Sequence, residues 1–133
     1  MPSLGESYEM IGRILAKLIL GGLRSQEIGV ASVIDADKVS RHDLHHFVDV
    51  VKWLQNEGLI TRGHALLSGD YLGVQLTSRG IAAVEQGQFS ASTGKSIRET
   101  VESKSEGGLT SDTYGKIGSF VGGLLGGFTQ AGS

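Results

Sequence analysis

The chain has 133 residues, with 12 Lys or Arg against 14 Asp or Glu, four His and no cysteine. That length suits one core with an appendage, the lack of cysteine excludes disulfides and thiolate metal sites, and a formal charge of −2 excludes the basic excess of a protein that binds nucleic acid by bulk charge. No run approaches the ~20 apolar residues that span a bilayer. The N-terminal apolar run lacks the basic start and unbroken core of a secretory signal, so the expected location is cytoplasmic.

The first predicted element is a helix over about residues 5–20, whose Tyr8, Ile11, Ile14, Leu15 and Leu18 fall on one face. Gly21 and Gly22 end it. "EIGVASVI" (27–34) is short and β-branched, and its periodicity does not decide between a small strand and an extended lead-in. Asp35, Asp37 and Ser40 offer N-caps for the next helix. That helix covers 41–57 and buries Leu44, Phe47, Val48, Val51 and Leu54 or Trp53, with Gly58 suited to its C′ position. "LITR" and "YLGVQLT" (71–77) read as two strands around the turn-rich "SGD". Thr77 or Ser78 caps a short helix that closes at Gly87.

Composition changes at residue 88. "QFSASTG" reads as a linker, and "KSIRETVESKSE" as a mostly solvated helix with one apolar pair, Ile97 and Val101. The glycines at 107 and 108 break it. Thr110 or Ser111 caps a last segment with Asp112 in its first turn, where a negative charge suits the helix dipole. No internal repeat is evident. The expected organisation is a domain over 1–87, a linker with a polar helix over 88–109, and a glycine-rich helix over 110–133.

The stretch "WLQNEGLI" (53–60), followed after a short hairpin by "LTSRG" (76–80), resembles the end of a recognition helix, its wing and the capped helix after it in winged helix-turn-helix proteins. The resemblance covers about residues 5–87. With the tail "EGGLTSDTYGKIGSF" (106–120), the chain looks most like the YjcQ-like proteins, a phage- and prophage-associated group of unknown function. The fold class so implied is mainly α with a small β hairpin (α+β), a winged-helix domain followed by a C-terminal glycine-rich helix.

A winged helix that reads DNA lays its long helix in the major groove. Here that helix carries Arg41, Lys52, Gln55 and Asn56, but also Asp43, Asp49 and Glu57. Residues 1–87 hold eight Lys or Arg and ten Asp or Glu. Lys38, Arg41, Lys52, Arg62 and Arg79 are the candidate DNA contacts. They are few, and phosphate contacts supply much of the affinity, so DNA binding calls for a dimer.

His42, His46 and Asp49 share a helical face, and His45 lies four residues before Asp49. Such spacing can hold zinc or nickel, with His64 as a further ligand, but with no cysteine and no second ligand pair nearby it reads better as the polar side of an amphipathic helix. "STGKS" (92–96) looks like the end of a phosphate-binding loop, but Phe89 stands where that motif needs its first glycine. It reads as linker. No catalytic constellation and no cofactor site emerge.

"GKIGSFVGGLLGGF" (115–128) has helical apolar spacing, yet six of its fourteen residues are glycine. Each costs a helix ~0.8–1 kcal/mol relative to alanine. Gly118, Gly122 and Gly126 form a row, flanked by Ile117, Val121 and Leu125, that suits the close approach of another helix. That helix can belong to the same chain or to a second copy, and the tail can also lie on a membrane surface. The second copy is favoured. The sequence thus reads as a non-enzymatic adaptor, regulatory or protein-binding and of phage or prophage origin, that self-associates through its tail and has a protein partner of unknown identity. A DNA-binding transcription regulator is the alternative.

Overall fold

The computed structural model describes residues 3–34, 39–90, 93–103 and 109–131, without the side chains of 88 and 126–131. The chain is mainly helical with a small antiparallel sheet. Helix α1 (Leu4–Leu20) starts at a reciprocal capping box: Ser3 Oγ accepts from Glu6 N, and Glu6 Oε1 accepts from Ser3 N. It ends at Gly21 and Gly22, the latter at φ 62°. The undecided stretch 27–34 divides in two. Gln26–Ile28 forms strand β1, and Val30–Val33 forms the single helical turn α2.

Helix α3 (Arg41–Asn56) is capped by Ser40 and followed by Gly58 at φ 75°. Of the two strands expected after it, the second lies within 71–77 as expected and the first is displaced. "LITR" joins the sheet through one bridge, Ile60 to Leu76, and the paired strands are β2 (His64–Ala65) and β3 (Tyr71–Val74). The sheet order is β1-β3-β2, so the third strand comes from the segment before α3. Helix α4 (Ser78–Val84) is capped by Thr77, whose Oγ1 accepts from Gly80 N and donates to the Gly58 carbonyl. One hydroxyl therefore ties the start of α4 to the exit of α3. Thr77→Ala is expected to lower stability by ~1–2 kcal/mol, measured by urea unfolding, whereas Thr77→Ser keeps both bonds and most of that stability.

A 3₁₀ turn (Gly87–Phe89) and helix α5 (Ile97–Glu102) follow, then α6 (Ser111–Ala131). Ile97 and Val101 of α5 are both buried, and α5 packs on α1. The segment expected to be a solvated linker is therefore built into the body of the protein. Ser96, the N-cap of α5, is itself buried, and Phe89 meets Phe120 of α6 edge-on at 5.5 Å. One hydrophobic core takes in side chains from 1–87, from 88–109 and from α6. The last turn of "STGKS" serves as the capping serine and loop of α5.

The glycine row meets a helix of its own chain. Helix α6 runs antiparallel along α1: Gly118 abuts the backbone of Tyr8, while Gly12 abuts the backbone of Tyr114. Ile117 and Val121 are fully buried and Leu125 nearly so. The face that the sequence assigned first to a second copy is thus occupied by α1. Gly122 rests against the Tyr8 ring, and Gly126 lies outside the described side chains. Arg13 stacks 4.5 Å over the Tyr114 ring and donates to Ser111 Oγ, which fastens the far end of the pair.

Candidate functional site

Two concave regions flank α3, one on each side. The first is a groove of about 400 Å³ between the last turns of α3 and the hairpin. Lys52, Gln55 and Asn56 line it from the helix, Arg62 from the hairpin, and Tyr71 forms part of its floor. Arg62 Nη2 donates to Asn56 Oδ1 at 3.2 Å, which holds the guanidinium across the groove. Burial, and then the nearby Asp49 carboxylate, push the Tyr71 hydroxyl above its ordinary pKa, so it stays protonated.

Because Phe47, Val50, Val51 and Leu54 face the core, the opposite line of α3 faces outward. That line carries Arg41, His45, Lys52 and Asn56, all exposed. Of the acids of α3, Asp49 is also exposed and falls between His45 and Lys52 on that line. Asp43 is consumed at the N-terminus, where its carboxylate accepts from Ser40 N at 3.1 Å; that bond and the Ser40 hydroxyl hold it below the usual carboxylate range. Among the five sequence-predicted DNA contacts, Lys52 and Arg62 come together in the groove, and Arg41 stands at the other end of the outward line. Arg79 lies on α4 with its stem beside Gly58 and makes an interaction of its own. Lys38 is outside the described residues.

The second region is a groove of about 460 Å³ between α1, α3 and α6. Its walls include Tyr8 and Ile11 from α1 and Val50 and Trp53 from α3, with Asp49 at the rim. Ser7 Oγ and His46 Nε2 share a hydrogen bond at 3.0 Å that joins α1 to α3 beside it. His46, counted among the metal candidates, is thereby committed to Ser7, and His64 stands apart on β2. Among the described residues no three His, Asp or Glu side chains gather to hold a metal ion. Nor is any described helix long and apolar enough to cross a membrane.

The shared face of His46, Asp49 and Trp53 is readable in the sequence from their i, i+3 and i+7 spacing. Tyr8 and Ser7 are not, because they reach the groove only when α1 packs on α3. Compared with protein-family models, curated proteins and solved structures, the chain matches none.

Proposed function

We propose that the chain is a non-enzymatic binding module of winged-helix type that docks the outward line of α3, with the hairpin beside it, onto duplex DNA as a regulator. One observation carries this reading: the outward line of α3 holds Arg41, His45, Lys52 and Asn56, and Arg62 of the hairpin joins Lys52 in the groove beside it. The element order α1-β1-α2-α3-β2-β3 with sheet order β1-β3-β2 supports it, since that arrangement leaves α3 exposed next to a hairpin. A helix of 16 residues is about 24 Å long, and the major groove admits one. Asn56 and Gln55 are suited to base edges, while Arg41, Lys52 and Arg62 are suited to phosphates.

A second reading, a protein-interaction adaptor, is favoured by the exposed leucines of the hairpin, Leu66, Leu67 and Leu72. Anisotropy titration of a labelled mixed-sequence duplex decides between them. Three phosphate contacts predict a fall of log K with log salt of slope about −2.7 per copy. Arg41→Ala and Arg62→Ala should each weaken binding on all sequences and flatten that slope by about 1. Absence of salt-sensitive binding at low ionic strength defeats the DNA reading and leaves the leucine face.

A further inference from the structure

The groove on the other flank of α3 has the size of a small-molecule site, at about 460 Å³. We infer that it binds a small amphipathic cation, an apolar body carrying an ammonium group. The inference is independent of DNA binding. Ile11 and Val50 are buried and give the groove an apolar wall. Tyr8 and Trp53 add two aromatic rings that are only partly buried, and the faces of such rings attract cations. Asp49 is the formally charged side chain in the lining, and no described cation pairs with it. It lies four residues before Trp53, one helical turn away on the same face. No Lys or Arg is among the described lining residues. An anion would have only His46 to meet it, and that ring is already bonded to Ser7. A neutral apolar molecule would leave Asp49 without a counter-charge. Gly122 of α6 also lines the groove, beside the Tyr8 ring.

The chain contains a single tryptophan, Trp53, so its emission reports on this groove alone. The test titrates the full chain with three probes that share one body: 4-phenylbutylammonium, 4-phenylbutanol and 4-phenylbutyrate. N-acetyltryptophanamide serves as the control for collisional quenching. The ammonium probe should give a saturable change with an affinity about tenfold above that of the alcohol, and the carboxylate should bind most weakly. Asp49→Asn, at an exposed position, should narrow the gap between ammonium and alcohol, and Tyr8→Leu should weaken the ammonium probe. Equal affinities in the unmodified protein overturn the proposal. So do tightest binding by the carboxylate and the absence of any saturable change up to millimolar probe. If Asp49→Asn did not fold, the ranking of the three probes on the unmodified protein would still decide.

Discussion

A chain ending at Gly108 is expected to lose its cooperative unfolding transition. Helix α6 is no appendage, because Ile117, Val121 and Leu125 are buried in the same core as the side chains of α1. Each fully buried aliphatic side chain is worth ~1.5–3 kcal/mol. Three of them amount to a large part of the ~5–15 kcal/mol by which a domain is stable. The loss is compounded on α1, where Gly12 and its neighbours have close-packed helix backbone across from them and would be left with water. Arg13 would also lose both Tyr114 and Ser111. Thermal melts by circular dichroism, with near-ultraviolet signal from the packed aromatics, check the expectation. A truncated chain that melts sharply near the full-length temperature would show that residues 1–108 carry the fold by themselves.

Much of the fold follows from local chemistry that is visible without a structure. Ser40 and Thr77 cap α3 and α4, and Thr110 Oγ1 accepts from Thr113 N at the start of α6. Gly22 and Gly58 both take positive φ just after their helices. The apolar pair Ile97 and Val101 marks a helix, which by its composition reads as mostly solvated. In the fold it is enough to seat α5 on α1, because the rest of α5 needs only to face water. The destination of the tail glycines was not legible, since a smooth helical face says that something approaches closely and not what does. One short match within the chain, too brief to read as an internal repeat, coincides with the contact. "YEMIG" (8–12) and "YGKIG" (114–118) share tyrosine, isoleucine and glycine at the same spacing. In the fold the two copies lie antiparallel, and the glycine of each meets the tyrosine backbone of the other. Ala16 and Gly122, four residues beyond each glycine, extend the match with small residues. The groove that holds Trp53 shows the complementary limit. Its α3 side follows from helical spacing, but its α1 side depends on how two helices far apart in sequence come to rest.

Two alanine substitutions in the same helix should change stability with opposite signs. Gly123 has nothing within 4 Å of where a side chain would begin, so Gly123→Ala meets no obstacle. It should stabilise the protein by ~0.8–1 kcal/mol, the helix-propensity difference. At Gly118 the same methyl would stand within 2.6 Å of Tyr8 Cα, against backbone that cannot rotate away. The helices would have to separate, and such overpacking costs ~1–3 kcal/mol, more when backbone must move. Gly118→Ala should therefore be destabilising despite the propensity gain, and Gly12→Ala likewise, since its methyl would fall 2.9 Å from Tyr114 Cα. Gly122→Ala should fall between them. Its methyl would lie 3.2 Å from Tyr8 Cε1, the edge of a ring that can swing aside. Each kcal/mol should move the melting temperature by roughly 4 °C in a chain of this size, so the order Gly123→Ala above wild type above Gly118→Ala is readily measured. If Gly118→Ala stabilises as much as Gly123→Ala, α6 does not lie on α1 at all. The melts also separate a contact within one chain from a contact between two. A dimer held by the glycine row would melt at higher temperature as protein concentration rises. The packing of Gly118 on Tyr8 of the same chain predicts no such dependence.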